Sequence, residues 1–233
     1  MANFPSNNAA FPRMGADSRA VFITRTYTHV VGGILAFILI EMGIFESGLA
    51  DTITSYMTHG VPWMLILGAF MLTGWLATRT AQTSTSVPMQ YFAYGMYIVA
   101  EALIFVPMLW LANLKAPGAI DSAVLVTALG AGGLMVVAHR TRKDFSFLRA
   151  ILMWGFWIAL VAIIGGLVFG FHLGTWFSVA MIAFAGAAVL YDTSNVIHYY
   201  PEDRYVAAAL QLFASIALMF WYVLRLMIGS RSS

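Results

Sequence analysis

The chain has 233 residues, of which 61% are hydrophobic and only 9% are charged, whereas a soluble domain carries roughly 25% charged residues. A mean hydropathy of +0.83 fits a bilayer as solvent. The net charge of +2 and the absence of any basic run longer than Arg140-Thr-Arg-Lys143 exclude a nucleic-acid binder, and zero cysteines exclude disulfides, thiolate nucleophiles, Cys-ligated zinc and iron–sulfur clusters.

Taken in chain order, Met1 to Ser18 is polar and shows no apolar core of a secretory leader. A hydrocarbon layer about 30 Å thick requires roughly 20 apolar residues per helix. That window gives seven predicted spans, over about Tyr27–Phe45, Val61–Thr78, Met89–Leu111, Ser122–Ala138, Leu148–Phe171, Gly174–Ile197 and Tyr205–Ile228. The expected fold is therefore all-α: a polytopic seven-helix membrane bundle over residues 27–228, an N-terminal segment over 1–26 and a short tail over 229–233. Ten-residue alternating segments, the mark of a membrane β-barrel, are not seen. Polar breaks separate the spans: Glu46 to Gly60, Arg79 to Ser86, Asn113 to Asp121, His139 to Arg149, His172 to Gly174, and His198 to Arg204 with Pro201 as a helix stop. Gly166, Gly170 and Gly174 follow small-xxx-small spacing, read first as helix packing and second as an oligomer face.

Positive charge orients such a bundle. Arg13, Arg19 and Arg25 precede the first span, and Arg140, Arg142, Lys143 and Arg149 fill the loop after the fourth. Arg79 and Arg204 fall on that same side, so the N-terminus is expected in the cytosol. Arg225 and Arg231 sit on the other side, against the trend.

Ionisable side chains in hydrocarbon cost about 2.5–3.5 kcal/mol each on insertion scales, so each needs a partner, water or a proton. Four lie within spans: Glu41, Glu101, Asp192 and Arg225. Glu101, near the middle of span three, is either a neutral, hydrogen-bonded carboxyl or part of an ion path. Asp192 lies about 8 Å from the end of span six, within reach of a snorkelling Arg79; the other reading is a carboxylate wetted at the interface. Glu41 and Arg225 either pair with each other or snorkel separately. The five histidines show no metal-binding spacing, and no Gly-x-Ser-x-Gly elbow or phosphate-cradling loop occurs. Ser215 has only the end-of-span His29 or His198 as a base, so an intramembrane serine protease is not expected. No enzyme, cofactor or resident metal is predicted.

Ala188-Val-Leu-Tyr-Asp-Thr-Ser-Asn-Val-Ile197 followed by Ala208-Ala-Leu-Gln-Leu-Phe-Ala-Ser-Ile216 resembles the last two helices of the transmembrane Bax inhibitor motif family. Phe22-Ile-Thr-Arg-Thr-Tyr27, Ala100-Glu-Ala-Leu-Ile-Phe-Val-Pro107 and Lys143-Asp-Phe-Ser-Phe-Leu148 are similar to its first, third and fifth helices, in the same order. The resemblance implies a seven-helix bundle with the last helix central. It also implies a pH-sensitive calcium leak, in which aspartates on helices six and seven share a proton and an arginine of helix two latches them. Here Asp192 stands at the first aspartate, Ser215 replaces the second, and Arg79 is the candidate latch.

Two functions follow as expectations. One is a low-capacity calcium or other cation leak, with Asp192 guarding the cytosolic mouth, Arg79 as latch, Glu101 along the path and Ser215 in place of an acid. The other is a non-conducting regulator or accessory subunit that binds another membrane-protein complex. Asp192 and Glu101 are expected to line one shared vestibule. A bacterial inner membrane is the expected site.

Overall fold

The computed structural model describes residues 11–57, 61–170 and 173–231. The described residues are helical throughout, without a strand. Eight α-helices follow one another: α1 (Phe11–Glu46), α2 (Leu49–Met57), α3 (Val61–Thr83), α4 (Val87–Lys115), α5 (Ala119–Thr141), α6 (Leu148–Phe169), α7 (Thr175–His198) and α8 (Tyr205–Arg231). Six of them (α1, α4, α5, α6, α7 and α8) are long and apolar enough to cross a membrane, and α3 has 23 residues.

The turns between helices sit where the chain can leave the helical conformation. Gly48, Gly118 and Gly170 adopt φ of 75°, 74° and 73°, left-handed values open to glycine without a Cβ penalty. Gly170 ends α6 in this way, its N–H donating to the Gly166 carbonyl. Val87 and Pro88 open α4 behind Ser86, where a proline ring fits the first turn. Pro107 lies inside α4 without ending it. Membrane helices tolerate this because neighbouring groups satisfy the freed carbonyl.

Two boundaries differ from expectation. α1 begins well before Tyr27, so most of the predicted N-terminal segment is helix continuous with the first span. The break from Glu46 to Gly60 contains the short helix α2, which packs on α4; there the Trp110 indole donates to the Asp51 carboxylate at 2.7 Å. His59 and His172 lie outside the described residues.

α8 packs against α1, α3, α4, α5 and α7, and most of its length is buried. Leu210, Leu212, Val223 and Leu224 are almost wholly enclosed. Aromatic rings fill the junction with α1 and α4: Phe105 stacks on Phe220 at 5.6 Å and meets Trp221 edge-on at 4.9 Å, while Phe37 and Tyr94 pack around Phe213. α6 instead rides on the periphery against α7, with Ala159 as its only buried residue and Trp154, Trp157, Ile158 and Val161 facing outward.

Candidate functional site

The α7–α8 contact carries the acidic pair position. Asp192 is 3% exposed and lies six residues before the end of α7, about 9 Å inside the bundle. Small neighbours on α7, among them Ala185 and Val189, let α8 approach closely, and Ser215 of α8 meets the carboxylate. The Ser215 hydroxyl donates to Asp192 Oδ2 at 2.5 Å. The two residues that the sequence resemblance pairs are therefore in direct contact.

The expected arginine latch is not formed. Arg79 is exposed, and its guanidinium lies 5.1 Å above the Trp75 ring one turn earlier on the same helix. Among the described residues the one salt bridge is Arg204–Asp203 at 3.2 Å, outside the spans. Arg204 also donates to the Gln82 carbonyl at 2.6 Å, which ties the end of α3 to the start of α8. The cation that reaches the α3–α8 junction is thus Arg204. Reach along a helix does not decide direction, and the indole face beside Arg79 offers a cation–π alternative without desolvation.

Glu101 is 5% exposed and about midway along α4, with Oε2 lacking any hydrogen-bond partner; Tyr97, one turn earlier, is its polar neighbour. Glu41 and Arg225 do not pair. Arg225 donates to the Leu173 carbonyl at 2.6 Å, whereas both carboxylate oxygens of Glu41 are buried without partners.

A cavity of about 500 Å³ lies between α1, α4, α5 and α8, and neither Asp192 nor Glu101 lines it, so it is not the vestibule expected to join those two residues. Its acidic residue is Glu41, 6% exposed, flanked on the same helix face by Phe37 and Phe45. That Phe-x-x-x-Glu-x-x-x-Phe spacing puts two rings and a carboxyl on one stripe of α1, a signal present in the sequence but not used there.

At the other end of the bundle, where α1 starts and α7 ends, the chain is knotted by polar contacts. The Arg19 guanidinium donates to three backbone carbonyls at the C-terminal end of α7, Val196 at 2.7 Å and Ile197 at 3.0 Å in its last turn and Tyr200 just beyond it. These are carbonyls that a helix terminus leaves without partners. Arg19 was read in the sequence only as one more positive charge. Nearby, the Phe145 amide donates to Ser194 Oγ at 3.1 Å, and the Tyr199 hydroxyl donates to Asp144, which pins the α5–α6 loop to α7. That hydroxyl, with the Ser146 amide, holds the Asp144 carboxyl below its ordinary value, while the same bond pushes the Tyr199 phenol up.

Comparison with known proteins adds a family to this geometry. The family model described as inhibitor of apoptosis-promoting Bax1 matches residues 19–233. An uncharacterized protein of Pseudomonas aeruginosa, PA2604, is 36% identical over 110 residues, 46% of this chain and 48% of that protein. The modulator of FtsH protease YccA of Escherichia coli K12 is 31% identical over 105 residues, 41% of this chain and 47% of that protein. A second Escherichia coli strain has a protein with the same match, named inner membrane protein YccA. The chain spans about half the length of the curated relatives it matches.

Proposed function

This chain belongs to the family of inhibitors of apoptosis-promoting Bax1, and from that premise we propose that it is a non-conducting regulator of another membrane-protein complex. The observation that carries the reading is the closed contact between Asp192 and Ser215. A hydroxyl satisfies the carboxylate where a second acid would leave a titrating pair, and among the described residues no salt bridge reaches Asp192. The relative named as a modulator of FtsH protease points the same way, with a protease of that kind as the candidate partner. A bundle with seven crossings, the last helix central and the start of α1 in the cytosol of a bacterial inner membrane accommodates this role. The basic residues Arg79, Arg140, Arg142, Lys143 and Arg204 all gather at the end where α1 begins. No enzymatic chemistry is assigned, because Ser215 spends its hydroxyl on a carboxylate instead of a histidine base.

The test is twofold. The chain extracted from native membranes in mild detergent is expected to bring FtsH or a similar protease with it, in fixed proportion. Purified chain in liposomes loaded with a calcium indicator is expected to give no flux above empty liposomes between about pH 6 and pH 8. A pH-dependent flux together with an isolated chain in the pull-down refutes the proposal.

A second reading is a cation leak whose closed gate is the Asp192–Ser215 contact. It is favoured by three carboxyls buried without a basic partner, Glu41, Glu101 and Asp192, a costly arrangement in hydrocarbon. On this reading Asp192→Asn changes calcium flux, Glu101 lies along the route, and Arg79 becomes the latch only after swinging off Trp75.

A further inference from the structure

The cavity around Glu41 has the makings of a ligand site distinct from the Asp192–Ser215 contact. Its volume of about 500 Å³ falls within the roughly 300–1,000 Å³ of small-molecule pockets. α4 and α8 supply its back wall, while Ile38 and Met42 of α1 and Val124 of α5 stand at its edge with side chains open to the surroundings. At the level of the hydrocarbon those surroundings are acyl chains, so the occupant enters sideways from the bilayer and carries an apolar body.

The walls also specify a polar group. Five phenylalanines line the space: Phe37, Phe45, Phe105, Phe213 and Phe220. Among them sits Glu41, with both oxygens buried and unpartnered, and Thr127 on the opposite wall has an unpartnered buried hydroxyl. Two orphaned polar groups in one apolar cavity are costly unless something supplies donors to them. Arg225, the basic residue of the adjoining span, is engaged with the Leu173 carbonyl and does not serve. A carboxyl group in a cavity lined by phenylalanine rings complements a cation on an apolar body, through a charge-assisted hydrogen bond to the carboxyl and packing of the body on the rings. Glu41 lies five residues, about 8 Å, inside the end of α1.

We propose that the α1–α4–α5–α8 cavity binds a hydrophobic amine, an aliphatic ammonium on an apolar tail, with Glu41 as the counter-ion and the phenylalanine walls around the chain. The site stands independently of the regulatory role proposed above.

The experiment places the full chain in phosphatidylcholine nanodiscs and measures binding of decylamine, decanol and decanoate, with empty nanodiscs as the partition control. Decylamine is expected to bind above the control and about tenfold more tightly than decanol, with decanoate no better than empty discs. Glu41→Gln is expected to remove that preference and leave decanol unchanged. Val124→Trp, at the exposed edge, fills the opening without touching the core and is expected to weaken both amine and alcohol. If Glu41→Gln fails to fold, the amine-over-alcohol preference of the unaltered chain and the weakening of both ligands in Val124→Trp decide the matter. Equal binding of amine and alcohol, or amine binding no greater than in empty nanodiscs, overturns the proposal.

Discussion

The Asp192–Ser215 contact makes a quantitative prediction about coupling. Both side chains are almost wholly enclosed, and the hydroxyl donates at 2.5 Å to a carboxylate without a basic partner. A hydrogen bond to a charged group contributes about 1.5–3 kcal/mol, and a buried acceptor stripped of its donor keeps its desolvation cost. Ser215→Ala is therefore expected to lower stability by about 2 kcal/mol. Asp192→Ala removes the demanding group itself, and the remaining Ser215 hydroxyl can turn to a carbonyl one turn back on α8. In that background Ser215→Ala should cost about 0.5 kcal/mol or less. The double-mutant cycle thus yields a coupling of about 1.5–2 kcal/mol, measured by unfolding in mixed micelles with increasing dodecyl sulfate. Additive single effects, within about 0.5 kcal/mol, would falsify the reasoning, because the two residues would then be neighbours without an energetic bond.

Three further outcomes are expected. Arg19→Ala frees three carbonyls at the end of α7 and should speed hydrogen exchange across Val196–Arg204, at a cost of about 1–3 kcal/mol; unchanged exchange removes the clamp from consideration. Asp144 is held below its usual range first by Tyr199, so its contribution to docking the α5–α6 loop is present above the unfolded value of about 3.9 and lost as pH falls through the lower folded value. Tyr199→Phe should bring the Asp144 titration, followed by carboxyl carbon NMR, back up; a titration that does not move refutes the assignment. A Cβ at Gly33 would stand 1.9 Å from the Tyr94 hydroxyl, which donates to the His29 carbonyl at 3.0 Å. Gly33→Ala should lower thermal stability by about 1–3 kcal/mol while Gly32→Ala, with open space around it, does not; equal effects count against the packing described for α1 and α4.

The long helices were legible because hydrophobic runs of about 20 residues have few alternatives in a bilayer. The helix α2 was not, since its nine residues are held by packing on α4 and by the Asp51–Trp110 bond, neither of which leaves a mark in local composition. Likewise the upstream extension of α1 carries Arg19 to the end of α7, a contact almost the whole chain away that local composition does not show. Asp192 and Ser215 meet in a hydrogen bond, a contact across 23 residues that spacing alone does not reveal and that only the family resemblance brought together. A long cationic side chain reaches many acceptors: Arg79 lies over the Trp75 indole instead of latching Asp192, and of the two readings for Glu41 and Arg225 the pair is the one not formed, since Arg225 donates to the Leu173 carbonyl.

The placement of α8 bears on how the molecule comes into being. Synthesis delivers this helix after the other seven described helices, yet it occupies the middle of the bundle and touches five of its predecessors. Until the ribosome releases it, the earlier helices surround a slot walled by Asp192 and by aromatic rings that have nothing to close upon. A nascent chain halted before Tyr205 thus lacks both the hydroxyl that meets Asp192 and the Phe213 ring on which Phe37 and Tyr94 close.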